Sequence, residues 1–303
     1  MSGASNIAVC LNMPKMVIGI VLVGLATTAP EFAVSVQAAF LGHPEIALGN
    51  AIGSVICDDG IALALAALIA PVAIMVNCKM LKIAGVFLLS IDIIGYLMAK
   101  NGTVGRLEGA FFVFLLVGYF WIILKSKKIR MIGFSQVSDI NSDSELCKLP
   151  LKQRLKKPVL LFSIGLVGVI VTSRIVLESS IRIAHHFNIS ETIIGLTVIA
   201  VGTSLPEIST CITAAIKREG EIAVGNIIGA DILNVLWIIG VSALVNPITV
   251  DVSIINFSFP FMILIVSVML GSMLIGCKLG KIKGLVLFLL YLVYLYMTLT
   301  LFI

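Results

Sequence analysis

An all-α polytopic membrane protein built from two inverted-topology repeats is the fold class this sequence predicts. Three observations carry the expectation. Of 303 residues, 59% are hydrophobic and only 12% charged, against roughly 45–50% and about 25% in soluble domains. The apolar residues gather into nine segments, most of them long enough to cross a bilayer. The chain also repeats itself at a shift of 176 residues.

The nine segments lie at Met16–Phe40, Ile46–Ala70, Leu81–Met98, Leu107–Leu124, Val159–Ser180, Ile193–Ile216, Ile222–Val245, Ile254–Ile275 and Leu285–Ile303. A helix needs about 20 apolar residues to span roughly 30 Å of hydrocarbon. The short alternating pattern of a membrane barrel is absent, so helices are predicted. The first segment resembles a signal peptide only superficially: it is too long and carries Pro30 and Glu31 in place of a small-residue cleavage site.

Charge sets the orientation. Nine of the 21 Lys and Arg residues lie between Lys125 and Lys157. The positive-inside rule makes that stretch cytoplasmic. Counting spans outward from it gathers Lys15, Lys79, Lys82, Lys217, Arg218, Lys278, Lys281 and Lys283 on the same side. The amino terminus is therefore expected inside and the carboxyl terminus outside a plasma membrane. Nucleic-acid binding explains the basic stretch less well, because no aromatics interleave with it. The six cysteines, Cys10, Cys57, Cys78, Cys147, Cys211 and Cys277, form no CxxC pair and read as reduced apolar fillers. His43, His185 and His186 form no ligand pattern with them.

In the repeat, Gly19 falls on Gly195, Thr27 on Thr203, Pro30 on Pro206 and Glu31 on Glu207, and 14 of the 42 positions from Gly19 to Gly60 are identical. The span count puts the start of the Glu31 helix inside and the start of the Glu207 helix outside, so the halves are inverted. Inverted repeats are a secondary-transporter architecture, with the substrate bound near mid-membrane between them. The expected organisation is a first repeat of four spans at 1–124, a cytoplasmic basic linker at 125–157 and a second repeat of five spans at 158–303.

Each repeat places a Pro–Glu pair inside a span, in GLATTAPE ending at Glu31 and GTSLPE ending at Glu207. Proline frees the carbonyl four residues earlier, here on Ala26 and Gly202. Carboxylate, bare carbonyl and the hydroxyls of Thr27, Thr28, Thr203 and Ser204 then share about one turn. Such an all-oxygen set suits a hard cation such as Ca²⁺. A single copy would read equally well as a kinked helix whose Glu bonds a neighbour; two copies in register favour a site. The next helices read GNAIGSVICDDG from Gly49 and GNIIGADILNVL from Gly225. Their GxxxG pairs suit close helix packing, and Asn50 and Asn226 are placed to cross-link helices nearby. Asp58 matches Asn234 across the repeats. Asp59 and Asp231 have no counterpart, and interface or cavity positions suit them equally. Arg174 and Glu178 are spaced to pair on one helix face; they and Asp92 are left outside the site.

With these motifs in view, the sequence resembles the cation/Ca²⁺ exchanger superfamily, specifically its prokaryotic sodium/calcium exchangers. The resemblance rests on GTSLPE at Gly202–Glu207, GNAIGS at Gly49–Ser54, GNIIGAD at Gly225–Asp231 and the duplication. It implies ten helices in two inverted five-helix halves, no cofactor, and Ca²⁺ held by the two motif glutamates with Na⁺ competing. Matched by position, the implied ligands are Thr27, Thr28, Glu31, Ser54 and Asp58, with Thr203, Ser204, Glu207 and Asn234. Several positions depart from the family pattern. Ala26 replaces a usual Gly, Ala230 a usual Ser that helps hold Na⁺, and Asp231 a usual Asn, while Asp58 and Asn234 exchange the family's Asn and Asp between halves.

The expected function is thus a secondary antiporter exchanging Ca²⁺ for Na⁺ by alternating access. H⁺-coupled exchange and a truncated, non-transporting copy are the alternatives. An enzyme is not expected: GxGD and HExxH motifs and a nucleophile–base pair are all missing from the sequence. The first half also has no counterpart of the Val159–Ser180 span, so a further helix ahead of Met1, or one supplied by another chain, is expected.

Overall fold

A computed structural model of the chain describes residues 15–125, 168, 171–187 and 189–302. Among these, six helices are long and apolar enough to cross a membrane: Pro44–Ile69, Cys78–Ala99, Arg106–Ile123, Gly220–Val245, Ile254–Cys277 and Lys281–Thr300. Two bent pairs, Gly19–Thr27 with Ala29–Phe40 and Glu191–Thr203 with Leu205–Ile216, raise the count to eight when each is taken as one span. The segment expected at Val159–Ser180 is described only in part, and its helix runs over 171–187, past the expected end. The expected linker and any helix ahead of Met1 lie outside the described residues.

The bends have a local cause. Pro30 and Pro206 sit in the first turn of Ala29–Phe40 and Leu205–Ile216, where a missing N–H costs nothing. Each ring excludes a continuous helix before it. The axes therefore turn by 53° and 42°, with Thr28 and Ser204 at the breaks (ψ 0° and 1°). Four wide π turns recur at matched positions, at Gly19–Val23 and Gly195–Ile199, and at Asp58–Leu63 and Asn234–Ile239.

The inversion follows from which residues meet. Gly19 lies against Ile222 and Asn226, and Gly24 against Gly229, so the Gly19–Thr27 and Gly220–Val245 helices run parallel. Gly49 and Gly53 meet 192–200 of the other half in the same ascending order. Within the second half, a tight turn at 217–219 reverses the chain, and Cys211 reaches back to the Ala223 carbonyl. The two motif helices therefore run in opposite directions. Close approach demands glycine here: a Cβ on Gly19 would stand 2.7 Å from the Ile222 oxygen, and one on Gly49 2.6 Å from the Thr192 oxygen.

Pro44–Ile69 and Gly220–Val245 form the centre, with 78% and 83% of their apolar windows buried, against 28–44% for the other four spans. Two short antiparallel pairs tie the halves together. Strands β1 (Ile74–Met75) and β4 (Lys278–Leu279) pair at one end of the molecule. Strands β2 (Thr103–Val104) and β3 (Ile248–Thr249) pair through the equivalent segments of the repeat.

The first pairing corrects the reading of the cysteines. Cys78 and Cys277 form a disulfide with Cα atoms 5.5 Å apart. They are 199 residues apart in the chain, so no sequence spacing could announce it; the β1–β4 contact creates it. Cys57 and Cys211 are free and buried, whereas Cys10 and Cys147 lie outside the described residues. Arg174 and Glu178 do pair, at 3.0 Å, on an exposed helix face.

Candidate ion site

The bend in each motif helix turns one glutamate into the protein interior. Glu31 is 1% exposed and Glu207 fully buried, on the first turns of Ala29–Phe40 and Leu205–Ile216. They come from opposite halves and lie within electrostatic reach of each other and of Asp58. The hydroxyls interleave across the halves. Thr28 donates to Glu207 Oε1 at 3.3 Å, and Thr27 also stands beside Glu207. Thr203 stands beside Glu31 and Ser204 beside Asp58. The Thr203 hydroxyl turns to Asn50 and to its own helix, which leaves both Glu31 oxygens without a hydrogen-bond partner. Glu207 Oε2, both Asp58 oxygens and Ser204 Oγ are likewise buried and unpaired.

Seven of the nine expected residues are thus brought together: Thr27, Thr28, Glu31, Asp58, Thr203, Ser204 and Glu207. Ser54 and Asn234 are buried on the two central helices, with Ser54 Oγ and both Asn234 amide atoms unpaired. Among the described residues no hydrogen bond joins them to the glutamates. No three His, Cys, Asp or Glu side chains among the described residues converge closely enough to hold a metal ion by themselves. A cation here needs hydroxyl and carbonyl oxygens as well as carboxylates. Unpaired polar atoms in a membrane interior are costly, and so many on facing turns suit a polar guest.

Sequence reasoning leaves three further acids outside or undecided. Asp59, Asp92 and Asp231 are all fully buried, with every carboxylate oxygen unpaired. The interface reading for Asp59 and Asp231 is therefore excluded. Asp231 lies within electrostatic reach of Asp59, Asp58, Asp92 and Glu207, so it belongs to the same group of buried acids. Among the described residues, six acidic side chains are buried and no Lys, Arg or His is. Ser35 is missed altogether and Cys211 is read only as an apolar filler, yet they contact the two asparagines. Their match across the repeat was the available signal.

A profile of the sodium/calcium exchanger protein family matches residues 1–125 and 157–300. The chain belongs to that family. Its members are multi-pass membrane transporters, and the inverted repeat agrees with their fold. The chain is 30% identical to the putative antiporter CaxA of Alkalimonas amylolytica, covering 97% of this chain and 91% of that protein. It is also 30% identical to the sodium/calcium exchanger MaX1 of Methanosarcina acetivorans, over 96% and 91%. The inner membrane protein YrbG of Escherichia coli is 34% identical over 82% and 75%. Among solved structures, the sodium-calcium exchanger NCX_Mj superposes with a TM-score of 0.70 at 26% identity, covering 97% of this chain and 90% of that one.

Proposed function

We propose that the chain is a Ca²⁺ antiporter of the plasma membrane, driven by Na⁺, in which the ion sits between Glu31 and Glu207. One observation carries this reading: two buried glutamates from inverted halves face each other with unpaired oxygens. The ligand set is Glu31, Glu207 and Asp58, with the hydroxyls of Thr27, Thr28, Thr203 and Ser204, and with Ser54 and Asn234 buried and unpaired on the two central helices. Ca²⁺ between two carboxylates leaves little net charge in a low-dielectric place, and Na⁺ ions can replace it with similar compensation. An empty site leaves like charges buried together, which favours exchange over leak. Alternating access moves one half against the other around this point. The amino terminus and the 125–157 linker face the cytoplasm in this reading, and the carboxyl terminus faces outward.

Proton-coupled exchange is the second reading. It is favoured by the six buried acids with no buried base among the described residues, which carry more negative charge than one Ca²⁺ neutralises. Purified protein in liposomes distinguishes the two. Radioactive Ca²⁺ uptake driven by an imposed Na⁺ gradient supports the first reading, and uptake driven only by a pH gradient supports the second. No uptake under either gradient overturns both.

A further inference from the structure

We propose that Asn226 and Asn50 are positioning residues that act crosswise: each asparagine aims the motif threonine of the opposite repeat at the ion. The proposal deepens the exchanger reading and rests on it. Thr27 Oγ1 lies 3.2 Å from Asn226 Oδ1, and Thr203 Oγ1 lies 3.2 Å from Asn50 Oδ1. All four side chains are buried, with the asparagines fully enclosed. The close glycine packing makes this reach possible. Asn226 follows Gly225 on a helix pressed against Gly19, and Asn50 follows Gly49 on a helix pressed against Gly195.

A hydroxyl has one proton and two lone pairs. To ligate a cation it must point the proton away from the ion. A helical threonine usually donates that proton back to its own helix, and both do have such acceptors: Thr27 at Val23 O (3.1 Å) and Gly24 O (3.3 Å), Thr203 at Ile199 O (3.0 Å) and Ala200 O (3.3 Å). The asparagine oxygen is a third acceptor, and it belongs to the other half. Which acceptor takes the proton decides where the lone pairs point, so the ligand direction in one half depends on contact with the other.

The two clasps differ in their backing. Asn50 Nδ2 donates to Ser35 Oγ at 2.9 Å and to the Glu31 carbonyl at 3.4 Å. Asn226 Nδ2 has Cys211 Sγ at 3.9 Å, a weak acceptor. Cys211 stands at the repeat position of Ser35. The Asn226–Thr27 clasp is therefore the looser one.

Double-mutant cycles on the full chain in liposomes test this, reading the half-saturating Na⁺ for Ca²⁺ exchange. Thr27→Val and Asn226→Ala are each expected to raise it about fivefold, and the double variant no further. Thr203→Val with Asn50→Ala should behave alike, whereas the same-half pairs, Thr27→Val with Asn50→Ala and Thr203→Val with Asn226→Ala, should multiply. Thr27→Ser, which keeps the hydroxyl, should shift half-saturation less than Thr27→Val does. Cys211→Ser is the milder variant, expected to shift half-saturation in the wild-type background and not beside Thr27→Val. Additive crossed pairs, or coupling within a half instead, overturn the proposal while the wild type still exchanges. The same cycles on the melting temperature of the solubilised protein read the crossed bonds without any transport; additivity there overturns the clasp even if the exchanger reading itself fails.

Discussion

Glu31 and Glu207 supply charge that neutral side chains of the same shape cannot. Replacing either with Gln should abolish Ca²⁺ exchange and weaken Ca²⁺ binding by on the order of 10–100-fold, the loss of one charged contact. The fold should survive, because an amide is less costly to bury than an unpaired carboxylate. Uptake assays and melting curves of the two variants check both halves of the statement; normal exchange by either would remove this site. The Pro–Glu pair at matched positions of the two repeats, Pro30–Glu31 and Pro206–Glu207, makes these two residues legible from the amino-acid sequence alone. Asp59, Asp92 and Asp231 are not legible in the same way. A sequence shows that an acid lies in an apolar run, but whether it meets lipid or other acids depends on helix rotation, and only neighbouring helices fix that.

At the scale of elements, glycines and prolines decide the geometry. A Cβ on Gly53 would stand 2.5 Å from the Leu196 oxygen and 2.7 Å from the Ala200 Cβ. Gly53→Ala should therefore force two helices of opposite halves apart and cost about 1–3 kcal/mol. Gly118, with nothing within 4 Å of its Cβ position, is the control. Gly118→Ala should leave the protein as stable or slightly more so, by up to about 1 kcal/mol. Melting temperatures of the two purified variants check the contrast. The GxxxG spacing announces close packing, but not the partner. The spans and the proline breaks are likewise readable, because hydrophobic length and a missing N–H are local properties. The four π turns at matched positions are not: they start at Gly19, Asp58, Gly195 and Asn234, and nothing in the local composition demands them. Their recurrence at matched positions fits the association of π turns with functional sites.

For the whole molecule, if three Na⁺ exchange for one Ca²⁺ as the family resemblance implies, each cycle moves one net charge, worth about 2.3 kcal/mol per 100 mV. Ca²⁺ flux should then respond to a potential clamped with valinomycin. A flux indifferent to potential would mean electroneutral exchange and a lost Na⁺ site, for which Ala230 is the first suspect. Orientation has its own test. The Cys78–Cys277 bridge lies at the end of the molecule where Gly220, just after the 217–219 turn, packs beside Ile74, the face that the positive-inside rule would assign to the cytoplasm through Lys217, Arg218, Lys278, Lys281 and Lys283. Disulfides persist in oxidising compartments and are rare in the cytosol, so the bridge and the basic residues assign this face to opposite sides of the membrane. After treatment with a membrane-impermeant reductant, an impermeant maleimide should label Cys78 and Cys277 only once the cells are permeabilised, and labelling in intact cells would reverse the proposed orientation.

The sequence by itself determined the environment and the plan: apolar segments that only a bilayer accommodates, a duplication that specifies two equivalent halves, and a Pro–Glu turn at the matched position of each. These are properties of short windows or of self-comparison, where local chemistry suffices. The tertiary structure decided every relation between halves. It set Thr28 on Glu207 and Asn226 on Thr27, residues 179 and 199 positions apart, joined Cys78 to Cys277, and turned Asp59, Asp92 and Asp231 inward. Such contacts depend on how helices rotate and cross. That is settled by packing many weak interactions together across the chain, and no window of sequence contains it.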